Sequence, residues 1–115
     1  MSEARLQREI VKYIRLAYPK VRYCASLGGI FTTPSQAKKA VATGYVKGFP
    51  DLFICYPNNN KAGLFIEVKY KGYATKHQRE WIDYLQQVGY EAQICKGFDS
   101  AKELIDNYLS NEKSK

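Results

Sequence analysis

The sequence predicts an α/β fold: a mixed β-sheet of about four strands flanked by helices. Three observations carry that expectation. Short β-branched and aromatic runs alternate with longer segments whose apolar residues recur at helical spacing. Glycine, proline and asparagine turns separate the two kinds of segment. The 115 residues, 45% of them hydrophobic, supply one real core and one domain spanning 1–115, which excludes a disordered chain.

Taken in order, Leu6, Ile10, Tyr13, Ile14 and Ala17 predict a helix over 3–17, ended by Pro19. Val21 to Ser26 reads as a strand, and Gly28-Gly29 as the turn after it. Thr33-Pro34-Ser35-Gln36 is a capping box with proline at the first helical position, opening a short helix that Gly44 closes. Asp51 to Tyr56 and Leu64 to Tyr70 predict two strands of a hairpin, joined through Pro57-Asn58-Asn59-Asn60. A second capping box, Thr75 with Gln78, starts a helix that packs through Trp81, Ile82, Leu85 and Val88 and stops at Gly89. Tyr90 to Cys95 is the fourth strand. Ser100 with Glu103 is expected to cap a last helix carrying Leu104, Ile105, Tyr108 and Leu109, and 110–115 to be a frayed tail.

The net charge is +7 and unevenly spread. Residues 1–37 contribute +4, residues 38–79 contribute +6, and residues 80–115 contribute −3. A basic field over two thirds of the chain favours a polyanion, above all nucleic acid, because neutralised phosphates release counterions. Apolar runs are about half a membrane span, which excludes a transmembrane helix. The N-terminal residues pass into an amphipathic pattern without a signal-peptide core. Cys24, Cys55 and Cys95 are odd in number and widely spaced, so neither a disulfide framework nor a zinc knuckle fits. All three are expected to be small buried hydrophobes in a reducing, cytoplasmic compartment.

The most informative anomaly is in the third strand. Leu64, Ile66, Val68 and Tyr70 point to one face; Phe65, Glu67 and Lys69 point to the other. Strands covered by helices are buried on both sides, where an ionised group needs a partner or a metal. Asp51, directly after Pro50, opens the neighbouring strand, and a hairpin of this length brings it near Glu67. Two close carboxylates repel unless a cation lies between them, and hard oxygen ligands suit Mg²⁺ or Mn²⁺ rather than zinc. A solvated Glu67–Lys69 ion pair on a half-exposed strand is the simpler alternative.

The segments GFPDLFICY and GLFIEVKYKGYATKHQREWIDYLQQVGYEAQIC resemble the PD-(D/E)XK nuclease superfamily, and more narrowly the virus-type replication-repair nuclease (VRR-NUC) family. Gly48-Phe49-Pro50-Asp51 and Glu67-Val68-Lys69 carry the likeness, with Gln78-x-x-Trp81 and the Gly89-Tyr90 turn adding to it. The resemblance implies a restriction-endonuclease-like fold and a Mg²⁺- or Mn²⁺-dependent phosphodiesterase leaving 5′-phosphate and 3′-hydroxyl ends. It implies that Asp51, Glu67 and the Val68 carbonyl bind the metal and that Lys69 is the catalytic lysine. Glu9 matches an acidic residue on the first helix, as a further ligand, and Gln78 is expected to face the site. Standalone members of this size resemble homodimeric resolvases of four-way (Holliday) junctions, in a bacterial or phage-infected cell. A flap or repair endonuclease is the alternative within the class, and a non-catalytic DNA-binding module the alternative outside it.

Lys38, Lys39, Lys47, Lys71, Lys76 and Arg79 are the expected DNA-contacting residues. His77 reads as solvated, and Trp81 and Tyr84 as packing residues. Ser26 lies at a strand end near the expected site, and Ile30-Phe31 offers an apolar contact for a second copy.

Overall fold

The computed structural model describes residues 1–26 and 33–110. The Gly28-Gly29 turn, Ile30-Phe31 and the tail 111–115 lie outside the described residues. The order is α1 (Glu3–Ala17), β1 (Tyr23–Ala25), α2 (Pro34–Ala42), β2 (Leu52–Ile54), β3 (Leu64–Lys69), α3 (Lys76–Gln87), β4 (Glu91–Lys96) and α4 (Phe98–Tyr108). The strands form one sheet in the order β1-β2-β3-β4. The β1/β2 and β2/β3 pairs are antiparallel and β3/β4 is parallel, the last requiring the α3 crossover. No helix of the described residues is long and apolar enough to cross a membrane.

Period-two alternation along β3 splits the core in two. Leu64, Ile66 and Val68 join Leu52 and Ile54 beneath α1 and α4, which contribute Leu6, Ile10, Ile14, Ala101, Ile105, Tyr108 and Leu109. On the opposite face Phe65 and Ala92 pack against Ile82 and Leu85 of α3, with Phe49, Phe53, Trp81 and Tyr90 around them. Phe53 and Phe65, directly opposed in the β2/β3 register, stack with centroids 4.2 Å apart. The hairpin connection turns at Asn59 and Asn60, both at positive φ, a conformation asparagine tolerates. It is tied to α4, because Asn58 Nδ2 donates to the Tyr108 carbonyl and the Tyr108 hydroxyl donates to the Tyr56 carbonyl.

The predicted caps of α2 and α3 are present. Thr33 Oγ1 accepts the Gln36 N–H, and Thr75 and Gln78 close a full capping box. The last helix departs from expectation: it begins at Phe98, its N-cap is Gly97 at φ 88°, and no side chain caps it. Ser100 therefore lies inside the helix, where its hydroxyl interacts with the Cys95 thiol. The cysteines depart too, since Cys95 is buried whereas Cys24 and Cys55 are exposed. Cys24 sits on β1, a strand at the sheet's edge, and Cys55 just past the end of β2, so an apolar sequence context does not enclose either. The α2 helix buries none of its residues.

A polar clamp seats α1 on α4. The hydroxyls of Tyr13 and Tyr18 both donate to Asp106 Oδ1, and Lys102 Nζ lies 3.0 Å from Oδ2. Burial alone raises the Asp106 pKa, but these three hydrogen bonds outweigh it, so the carboxyl ends below its ordinary value. A depressed carboxyl stabilises the fold fully above its unfolded pKa, near 3.9, and the contribution vanishes as pH falls through the folded value. Asp106→Asn is expected to lower stability at pH 7 by about 1.5–3 kcal/mol, the range for hydrogen bonds to a charged group. The variant should also show a shallower loss of stability in acid, read from urea midpoints at pH 3 and pH 7.

Candidate active site

Extending the β2/β3 register by one step beyond Leu52↔Ile66 sets Asp51 across from Glu67. Opposed residues of antiparallel strands share a face, so both carboxylates point the same way. Pro50, buried, and the turn before it hold Asp51 at this point. The Ser26 N–H donates to the Asp51 carbonyl at 2.9 Å, and the Val68 N–H donates to Asp51 Oδ2 at 2.7 Å. The Asp51 side chain is thus fixed by the backbone of the strand that carries Glu67.

Glu67 is 2% exposed, and its Oε1 is buried with no hydrogen-bond partner among the described residues. Burial, then the Asp51 carboxylate beside it, push its pKa up to about 9; Lys69 pulls it down and Glu3 adds a smaller push upward. Lys69 is itself buried, with Nζ 4.0 Å from Glu67 Oε2. The half-exposed strand with a solvated ion pair is therefore not what forms: all six residues of β3 are buried. An orphaned buried carboxylate oxygen beside a second carboxylate is a site short of positive charge. One or two carboxylates with water suffice for Mg²⁺, so Asp51 and Glu67 fit such an ion, whereas the thiolate and imidazole ligands zinc prefers are not gathered there.

The pair opens into a cavity of about 930 Å³ between α1, the 45–51 segment and the start of α3. Gln78 lines it while its Oε1 accepts the Thr75 N–H at 2.9 Å, so the cap engages one end of the amide and leaves the amide N–H groups for the cavity. Ser26 and Glu9 also line it. Glu9 does not join the pair, since no group of three or more His, Cys, Asp or Glu side chains that would hold a metal occurs among the described residues. The α1 carboxylate whose charge reaches Glu67 is Glu3. Glu3 shares the helix side of Ile10 and Ile14, two and three turns on, and so looks toward the sheet.

Of the six expected DNA-contacting residues, only Lys47 lines the cavity. Lys38 and Lys39 ride on α2; Lys71, Lys76 and Arg79 are exposed around the β3–α3 connection, where Arg79 Nη1 donates to the Ala74 carbonyl. In their place the structure brings Arg5, Arg8, Lys12 and Arg15 of α1 to the cavity wall. Their spacing of three, four and three residues is a helical stripe, legible in the sequence as the cationic counterpart of the apolar stripe on the same helix.

Gly48 fixes the cavity's floor. Its φ is +91°, and a Cβ there would lie 2.7 Å from the His77 backbone carbon. Gly48→Ala is therefore strained twice, by the dihedral and by contact with α3. It is expected to lower the melting temperature by several degrees, measured by calorimetry.

The VRR-NUC domain family model matches residues 30–99, more than half of the chain. A solved structure described as a VRR_NUC domain protein superposes with a TM-score of 0.81 at 30% identity, over 96% of this chain and 89% of that one. No curated protein matches the sequence. The likeness covers both strands that carry the carboxylates and the helix that flanks them. The chain belongs to the VRR-NUC domain family and is a nuclease-type DNA-processing module.

Proposed function

We propose that the chain is a Mg²⁺- or Mn²⁺-dependent, structure-selective DNA endonuclease that resolves four-way junctions as a homodimer. The observation that carries the catalytic part is the buried Glu67 carboxyl group, one oxygen of which has no partner among the described residues, set against Asp51 at the head of a cation-lined cavity. Asp51, Glu67 and the Val68 carbonyl would hold the ion, which when bound polarises the scissile phosphate and lowers the pKa of its water.

The remaining work falls to the chain's own groups. Asp51 is kept in position by the Val68 N–H, so the site needs little reorganisation when loaded. Lys69, held near Glu67 by its stem's burial, offers a fixed positive charge to the developing negative charge on the phosphate. Gln78 supplies N–H donors from a rotamer locked by the cap. The stripe Arg5, Arg8, Lys12 and Arg15 with Lys47 guides the phosphate backbone across the cavity. A preference for branched DNA fits cavity-lining cationic residues that address backbone rather than base edges. A two-fold pair would present two centres to a two-fold substrate.

The test incubates the protein with duplex, flap and four-way DNA in Mg²⁺, Mn²⁺ or chelator, beside light scattering with and without junction. Paired cuts across the four-way substrate by a dimer, abolished by chelator, are expected. Cleavage of flaps alone by a monomer would replace resolution by flap processing. Salt-sensitive binding with no cleavage in either metal would leave a DNA-binding module.

A further inference from the structure

A second concavity lies behind the first. It measures about 420 Å³, within the ~300–1,000 Å³ range of small-ligand sites, and is lined by Val46, Lys47, His77, Glu80, Trp81 and Tyr84. Lys47 lines both cavities, and Phe49, on the wall of the first, packs edge-to-face on Trp81 with centroids 5.0 Å apart. The two cavities therefore stand back to back across the short Lys47-Gly48-Phe49 segment.

The lining has an unusual character for a helix flank. Trp81 is held from the inside by Phe49 and from the outside by Tyr84, which meets it at 5.8 Å and 90°. Tyr84 is 54% exposed and Val46 53% exposed, so the apolar surface has no cover among the described residues. The charged groups at its rim are Lys47 and Glu80, with His77 beside them. A phosphate would meet the Glu80 carboxylate and be repelled. A flat ring with N–H groups on its edge meets no such conflict: the aromatic side chains offer its faces a stacking surface, and Glu80 accepts from its edge.

We infer that this groove receives an unpaired nucleobase whose neighbouring phosphate lies on Lys47 at the mouth of the catalytic cavity. The inference rests on the endonuclease reading and deepens it. Selectivity for branched or distorted DNA would then come from a base that only a broken stack can offer. Intact duplex keeps its bases paired and cannot fill the groove. Stacking is tolerant of base identity, so the groove would sense structure rather than sequence.

Trp81 is the chain's single tryptophan, so its emission reports on this groove alone. The experiment titrates the full-length protein, in chelator to prevent cleavage, with three DNAs. These are a single-stranded oligonucleotide, the same strand carrying abasic sites, and blunt duplex of equal phosphate count. The base-bearing strand is expected to quench Trp81 and to bind roughly ten- to hundredfold more tightly than the abasic strand, the range for one or two stacked bases. Duplex should bind with little quenching. Tyr84→Ala, a change at an exposed position, should bring the two single strands to equal affinity while leaving duplex binding unchanged. Trp81→Phe keeps the packing on Phe49 and should retain most of the preference for bases, measured by anisotropy.

Equal affinity and equal quenching for base-bearing and abasic strands would overturn the inference while leaving the nuclease reading intact, provided metal-dependent cleavage persists. Quenching that follows protein concentration without DNA would assign the groove to a second copy of the chain and overturn it likewise. Failure to bind either single strand would overturn the inference as well, while cleavage of four-way DNA in Mg²⁺ or Mn²⁺ decides the nuclease reading separately.

Discussion

Glu67→Gln is expected to abolish metal-dependent cleavage and at the same time to make the protein more stable. The two effects have one cause. Glu67 is buried beside Asp51, and one of its oxygens has no partner among the described residues. With the Glu67 pKa pushed up to about 9, the metal-free protein must take up a proton there when it folds near pH 7. An amide of the same shape needs no proton and can donate to Asp51, so the metal-free protein should gain about 1–3 kcal/mol at pH 7 and melt several degrees higher. On the proposed metal-dependent reading, the same change removes one of the two carboxylates that would hold the ion. Cleavage should fall on the order of a thousandfold or more, about 4 kcal/mol of barrier. Mn²⁺ should raise the melting temperature of the parent protein and leave that of Glu67→Gln unchanged. A variant both inactive and less stable would mean that Glu67 is a packing residue. An active one would place the centre elsewhere.

The second large effect is expected on α1. Neutralising Arg5, Arg8, Lys12 and Arg15 to glutamine together should reduce DNA affinity by a hundredfold or more at low salt. It should also flatten the dependence of log K on log salt by about 0.9 for each duplex phosphate that is no longer neutralised. Replacing Lys38 and Lys39 on α2, which lies away from the cavity lining, should leave affinity and slope almost unchanged. The reverse ranking in an anisotropy titration would move the DNA track from α1 to α2. The substitutions leave the buried positions Leu6, Ile10 and Ile14 untouched, so the helix should still dock.

These expectations divide along what a sequence can express. The hairpin is legible because β2 and β3 are consecutive in the chain and each alternates, which sets Asp51 and Glu67 on one face of neighbouring strands. The caps of α2 and α3 are legible because a threonine oxygen and a backbone N–H three residues on are local partners. The cap of α4 is not, because Gly97 at positive φ turns the chain with no side chain to announce it. Cys24 and Cys55 escape the same logic because exposure at a sheet edge depends on what fails to pack there, a non-local fact. The α1 stripe is visible in the sequence, yet nothing in the sequence says which flank of a helix meets the cavity. The charge of Glu3, rather than that of Glu9, is felt at Glu67 for the same reason: position along the helix relative to the sheet is settled by docking.

That docking has a kinetic side. The carboxylate-bearing hairpin pairs strands adjacent in the chain, whereas the Tyr13–Asp106 bond that seats α1 closes a separation of 93 residues. Closing long loops carries the larger entropy loss, so contacts near in sequence form first. The rate-limiting step of folding is therefore expected to assemble β2 and β3, with α1 settling onto the sheet afterwards. Phe53→Leu and Phe65→Leu should slow folding, while Asp106→Asn should chiefly hasten unfolding. Stopped-flow chevrons giving the opposite partition would reverse the order. On this route the nascent chain holds its acidic centre before its basic wall, and captures nucleic acid only once the last helix contact has closed.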